Sequence, residues 1–379
     1  MIAGRRLPAL DFAEGVDGDL CGRLMPNLED MKACGQDPVF HAEGDAWTHT
    51  LMACEALARD EGFLVASAET RRVLSWSALL HDVAKPTTRV VEWDEALQRE
   101  RISNPHHAAK GARMAWGHLW RMGAPLQTRL AVYANILWHQ RVFWVMEKPD
   151  WRAELIRFSQ IGKWRDLITL ARADNRGRVS PGAAKTESNL DLTWLAAQEE
   201  GCLDVPFSFE NDEARVKFGR GKEDSSFYVP PRATGSRVVV LAGIPGSGKD
   251  TYAGKAFADW PQVSMDRTRE RLGVAHGKAE GETWQAVLEE ARVFLRAKRD
   301  FVWNATSVTR LARDKVVDLA LDYDARVEIH ALDAPVETIT RRNAARKESV
   351  PKEAMDRFVD RFEPPLPTEA HSVVWVPVP

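Results

Sequence analysis

The stretch Arg237-Val238-Val239-Val240-Leu241-Ala242-Gly243-Ile244-Pro245-Gly246-Ser247-Gly248-Lys249-Asp250 decides the fold of the second half of this 379-residue chain. Residues 237–242 form a short apolar, β-branched run of buried-strand type. Gly243 to Lys249 then satisfies the G-x-x-x-x-G-K spacing, with helix-forming sequence after it, the context that gives the spacing its meaning. Glycines there let backbone N–H groups wrap a phosphate at a helix N-terminus, and Lys249 is placed to reach β- and γ-phosphates. Gly243, Pro245, Gly246, Ser247, Gly248, Lys249, Asp250 and Thr251 are the candidate nucleotide-binding residues, with Mg2+ and ATP or GTP as the expected ligands. One position departs: Asp250 stands where a Ser or Thr usually offers a hydroxyl to Mg2+.

Working outward, strand and helix patterns alternate from 236 onward. Strands are expected at 237–242, 262–265, 301–303, 326–332 and 372–376, and helices at 283–298, 311–321 and 335–345. Such alternation implies a parallel sheet covered by helices. Strand C-terminal ends line the ligand crevice of an open α/β sheet. That places Asp266 and Arg269 beside the crevice as acceptor-side candidates, with Asn304 and Thr306 as possible substrate contacts. Arg341 to Lys347 opens a lid segment whose arginines, Arg342 and Arg346 among them, can close over a transferring phosphoryl group. The plainer alternatives are that Asp266 caps a helix and that the arginines complement a helix C-terminus.

The first half reads differently. Of ten histidines, His41, His49, His81, His106, His107, His118 and His139 precede residue 140. Helix-period apolar positions run through 47–59, 70–82, 107–120, 125–139 and 151–172, so an all-α domain is expected. His49, His81-Asp82, His107, His139 and Asp174 lie in different helices or at their ends, as in bundles whose side chains converge on metal. Trp47, Trp76, Trp116, Trp120, Trp138 and Trp144 are expected in the core, and His106 and His118 as ordinary helix histidines.

The ordered set His49, His81-Asp82 with Lys85, His107, His139 and Asp174 resembles the HD-domain phosphohydrolase superfamily over roughly 25–180. The stretch from His41 to His49 is similar to the start of the HD domain in CCA-adding enzymes. The resemblance implies one metal among His49, His81, Asp82 and Asp174, a second at His107 and His139, and Asp82 bridging. The implied metals are one or two of Mn2+, Ni2+, Co2+ or Fe2+, which lower the pKa of a bound water and neutralise charge at phosphorus. Lys85 would then face the phosphate, and His41 is a possible substrate contact.

The P-loop, Asp266/Arg269 and Arg342/Asn343/Arg346 resemble the 5′-OH polynucleotide kinases of end healing, which usually carry an Asp where Asn304 stands. Together the halves resemble bacterial bifunctional HD–polynucleotide kinase enzymes. That resemblance implies phosphorylation of 5′-OH ends of RNA or DNA, and removal of 2′,3′-cyclic or 2′/3′-phosphate ends. A separate ligase would act downstream. The alternatives are a small-molecule kinase fused to an HD nucleotidase, and a non-enzymatic nucleotide sensor.

The expected organisation is 1–200 for the metal domain, 201–235 for a linker or hairpin ending in Pro230-Pro231, and 236–379 for the P-loop domain. Apolar residues make up 44% of the chain, enough for two cores, and the net charge of −3 excludes a global cationic footprint. Cys21, Cys34, Cys54 and Cys202 show no metal-type spacing and read as reduced thiols. With no signal-like N-terminus at residues 1–6 and no membrane-length apolar run, the expectation is a cytoplasmic protein without membrane association.

Overall fold

The protein is described by a computed structural model covering residues 7–96, 98–274, 279–346 and 349–378; residues 1–6 and the lid residue Lys347 lie outside the described residues. The chain divides into two compact units, Met1–Phe207 and Ser208–Pro379.

The first unit is helical. Its principal helices are Ala46–Ala58, Ala68–Leu80, His107–Arg121, Leu126–Trp138, Trp164–Arg176 and Ala183–Glu199. Local chemistry starts them: the Asp45 carboxylate accepts from the Thr48 backbone N–H at 2.8 Å, and the Ser67 hydroxyl accepts from that of Thr70 at 3.2 Å. Trp76, Trp116 and Trp164 are fully buried, whereas Trp144 is 54% exposed and leaves the expected core set. The 151–172 pattern proves to be two helices, Trp151–Ser159 and Trp164–Arg176. Gly162 makes the break compact, since a Cβ there would lie 2.6 Å from the Phe158 ring.

This unit is not purely α, which corrects the sequence expectation. Val90–Asp94 (β1) and Arg99–Ser103 (β2) form an antiparallel hairpin. Its alternating Val91, Trp93 and Ile102 carry a strand period too short to outweigh the surrounding helical pattern. Asp37 anchors it, accepting from Arg99 Nη1 at 2.9 Å and from the Ile102 backbone N–H at 3.3 Å.

The second unit is an open sheet of five strands: β3 (Arg237–Ala242), β4 (Gln262–Ser264), β5 (Phe301–Asn304), β6 (Arg326–Asp333) and β7 (Ser372–Pro377). The order is β4-β5-β3-β6-β7, with every neighbour parallel. Val238, Val240 and Ala242 face a core shared with Val287, Ala291, Val316 and Val317 of helices Glu280–Arg296 and Arg310–Asp322. Val239 and Leu241 face Ala253 and Phe257 on the other side. Burial on both faces is why the β3 sequence is continuously apolar rather than alternating.

The 201–235 stretch is more than a linker or hairpin. It contains helix Asp212–Gly219, started by the Asn211 side chain accepting from the Ala214 backbone N–H at 2.8 Å. Arg215 of that helix donates to the carbonyl of His371 at 2.6 Å, tying it to the second unit. Its polar sequence concealed a helix held by side chain–backbone bonds rather than by a wide apolar face. Helices Met265–Leu272 and Lys352–Arg361 lie outside the helices expected from periodicity. Among the described residues, no helix is long and apolar enough to cross a membrane.

One buried acid outside any candidate site gives a stability prediction. Asp166 is 9% exposed, and burial raises its pKa from 3.8 to about 6. The folded form holds its proton more tightly than the unfolded chain, so this group's contribution to stability falls as pH rises from about 4 to about 6. Asp166→Asn is expected to raise stability by about 3 kcal/mol at pH 7.5 and to leave it nearly unchanged at about pH 3. Thermal melts of both proteins at the two pH values check this, and an equal gain at both would refute it.

Candidate functional site

In the first unit, helix ends bring the expected side chains together. His81 is the C-cap of Ala68–Leu80, His139 the C-cap of Leu126–Trp138, and His107 the first residue of its helix. Each imidazole donates from Nδ1 to a carbonyl three residues earlier: Ala78 at 2.8 Å, Ile136 at 2.7 Å and Asn104 at 2.6 Å. A carbonyl only accepts, so Nδ1 carries a proton in each ring and Nε2 is the atom turned inward.

Asp82 stands at the meeting point. Its Oδ2 lies 3.2 Å from His81 Nε2 and 3.6 Å from His49 Nε2, while its Oδ1 lies 3.5 Å from His107 Nε2 and 3.7 Å from His139 Nε2. His49 Nε2 is also 3.0 Å from Asp174 Oδ1. His49–His81 and His107–His139 bring Nε2 atoms within 3.4 Å and 3.2 Å of each other. Among the described residues, both Asp82 oxygens and Asp174 Oδ2 are buried without a hydrogen bond of good geometry. Imidazole Nε2 atoms packed against one another and around these buried carboxylates are poorly compensated unless a cation sits between them. The donor set, imidazole nitrogen with carboxylate oxygen, suits divalent transition metals, and two groupings each have ligand atoms within 4.8 Å.

Electrostatics agree. Burial alone would raise Asp82, but the His81 and Lys85 charges hold it well below the carboxylate range; for Asp174, Arg178 overcomes the same burial effect. Burial pulls His107 down to about 4, which keeps it neutral and ligand-ready at neutral pH. Lys85 Nζ sits 2.7 Å from Asp82 Oδ2 and also donates to Gln36 Oε1.

Glu43 and Arg178, which are not among the expected site residues, belong to the same cluster. Arg178 Nη2 is 2.5 Å from Asp174 Oδ1. Glu43 Oε1 takes His41 Nδ1 at 2.7 Å and His49 Nδ1 at 3.0 Å, while Oε2 accepts from the Val179 backbone N–H at 2.9 Å. The signal available for Glu43 was its place two residues after His41. The same three groups form a third possible cation grouping, His41, Glu43 and His49. A carboxylate behind a ligating imidazole typically tunes metal affinity about 10–100-fold, so Glu43→Gln is expected to weaken metal retention by about tenfold with the helical content unchanged. Metal content after graded chelation measures this; unchanged retention would remove Glu43 from the centre.

In the second unit, the loop after β3 takes the expected form. Gly246 and Gly248 have φ of +80° and +98°, values that side chains rarely adopt, and a Cβ at Gly246 would lie 3.0 Å from the Ile339 carbonyl. Helix Lys249–Ala256 starts directly behind. Lys249 Nζ folds back onto the carbonyls of Gly243 at 2.8 Å and Ile244 at 3.2 Å. Burial lowers its pKa to about 8, against the opposing charges of Asp250 and Asp266; Arg346 adds to the lowering, so Asp266 and Arg346 both act on this lysine. The buried Ser247 hydroxyl has no hydrogen-bond partner among the described residues. This loop fits a bound phosphate.

Asp266 lies in the first turn of Met265–Leu272, two residues past the N-cap Ser264, so it is not that helix's cap. Its carboxylate is mostly exposed and pairs with Arg269 Nη1 at 2.8 Å. Arg342 Nη1 would be 3.8 Å from a Cβ at Gly248, which puts this lid arginine over the loop. Asn343 is structural: it donates to the Val350 carbonyl at 2.7 Å and accepts from the Val350 backbone N–H at 3.0 Å, clamping the two ends of the lid. Asn304 closes β5 and donates to Asp250, whereas Thr306 is exposed on the loop beyond and Thr251 on the outer side of its helix.

A family model described as "AAA domain" matches residues 238–365, the P-loop part of the second unit. A "Multifunctional CCA protein" of Halorhodospira halophila is 33% identical over 188 residues, 48% of this chain and 41% of its own length. A protein of the same name from Alkalilimnicola ehrlichii is 30% identical over 167 residues, 42% of this chain and 37% of its own. The chain thus spans about two fifths of the length of these curated relatives. A solved gluconokinase from Sinorhizobium meliloti 1021 aligns over 39% of this chain and 85% of its own, at TM-score 0.28 and 19% identity.

Proposed function

We propose that this chain heals broken nucleic-acid ends: the P-loop unit phosphorylates 5′-OH ends from an NTP, and the helical unit is an HD-type phosphoesterase that clears 2′,3′-cyclic or 2′/3′-phosphate ends. The observation that carries the second half is the division of Asp82, with one oxygen toward His49 and His81 and the other toward His107 and His139.

In the helical unit, His49, His81, Asp82 and Asp174 would hold one divalent metal, and His107, His139 and Asp82 a second. Metals so held supply an activated water and neutralise negative charge. The chain's own groups do the rest. Lys85 and Arg178 place positive charge beside the centre for a phosphate, and Glu43 keeps His41 and His49 oriented.

In the P-loop unit, the loop amides and Lys249 bind the β- and γ-phosphates. Asp266 accepts the proton of the attacking hydroxyl, and Arg269 orients the acceptor. Arg342 and Arg346 offset charge on the moving phosphoryl group.

The test offers two substrates: γ-labelled ATP or GTP with a 5′-OH oligonucleotide, and an oligonucleotide with a 2′,3′-cyclic phosphate end plus Mn2+, Ni2+ or Co2+. Label transfer and loss of the cyclic end are expected. Neither reaction, with metals present, sinks the proposal. Transfer to small hydroxylated metabolites but not to oligonucleotides would favour a small-molecule kinase instead.

A further inference from the structure

Asp250 is the residue that the P-loop pattern leaves unexplained. P-loop proteins usually hold Mg2+ with a hydroxyl directly after the loop lysine and a carboxylate at the end of a neighbouring strand. Here the two positions carry Asp250 and Asn304. Asn304 is the last residue of β5, which pairs directly with β3, so sheet order places it against the start of helix Lys249–Ala256. Its Nδ2 donates to Asp250 Oδ1 at 2.7 Å and to Gln262 Oε1 at 3.4 Å. A carboxylate only accepts, so the amide nitrogen is the Asn304 atom that faces Asp250.

We propose that the two positions have exchanged roles: Asp250 supplies the carboxylate that holds the nucleotide's divalent cation, and Asn304 is its positioning residue. This rests on the Mg-NTP reading of the P-loop. Three observations carry it. The formal charge of the pair is −1, the same as that of a hydroxyl and a carboxylate in the usual positions. Asn304 binds only Oδ1 and so orients the group without satisfying it. A carboxylate at 304 would face Asp250 at about the present 2.7 Å, a like-charge clash, so the amide at 304 follows from the acid at 250. The simpler role for Asp250, an acid complementing the helix N-terminus, leaves the Asn304 contact without purpose.

The exchange has a signature apart from turnover. A carboxylate beside a triphosphate repels it until the cation is bound, whereas a hydroxyl does not. ATP and GTP binding, measured by calorimetry with and without Mg2+, is therefore expected to be far more Mg2+-dependent in the wild type than in Asp250→Asn. The ratio of the two Kd values should fall about tenfold or more, mostly because Mg2+-free binding tightens. Asn304→Asp should weaken Mg2+-free binding further, and Asp250→Ser combined with Asn304→Asp should restore Mg2+-bound affinity to within about threefold of wild type. If Asp250→Asn shifts both Kd values equally or neither, the proposal is overturned while the P-loop reading stands. If wild type binds neither nucleotide under any condition, that reading itself fails.

Discussion

Replacing Asp82 with asparagine is expected to lower phosphoesterase activity by at least about a thousandfold while leaving 5′ phosphorylation within about twofold of wild type. Asn keeps the volume but cannot offer two anionic oxygens, and the centre depends on both, since each faces a different imidazole pair. Metal content should fall with activity. The change also leaves the ammonium of Lys85, 4% exposed, facing a neutral amide beside Gln36. Breaking a buried ion pair costs about 3–5 kcal/mol, so the helical unit should melt earlier in the absence of metal. Circular dichroism at assay temperature separates that effect from lost chemistry. A folded variant with full metal content and full activity would remove Asp82 from the centre.

Lys249→Ala is the mirror experiment. It should abolish phosphoryl transfer, again by about a thousandfold or more, and spare the phosphoesterase. The resting lysine donates to two loop carbonyls and, among the described residues, pairs with no acid, so little stability should be lost on its removal. Its positive charge is the one the loop amides cannot replace. Joint loss of both activities in either folded variant would mean one composite site rather than two.

The sites differ in how far they could be read in advance. The glycine-rich turn of the P-loop is legible in the sequence because its phosphate-facing groups are mostly backbone, held by residues contiguous in sequence. Gly246 and Gly248 occupy the left-handed conformations that such a reading requires. The lid was partly legible: Arg342 lies over the loop, but Asn343 proves to be a clamp on Val350, a role invisible without the loop's return path. The hairpin β1–β2 and helix Asp212–Gly219 were missed for one reason: tertiary anchors, Asp37 for the first and Arg215 for the second, hold segments whose own periodicity is short or polar.

By itself, then, the sequence determined the β–loop–helix phosphate cradle, the parallel sheet around it and the helical character of the first unit. Those features are encoded in local spacing and periodicity. Only the tertiary structure decided which ionisable side chains share a centre and how each oxygen is used. His49 and Asp174 are 125 positions apart yet 3.0 Å apart in space, and Asp250 meets Asn304 across 54 positions. Helix packing sets the first approach and strand order the second. Both are products of the whole core rather than of the residues that meet.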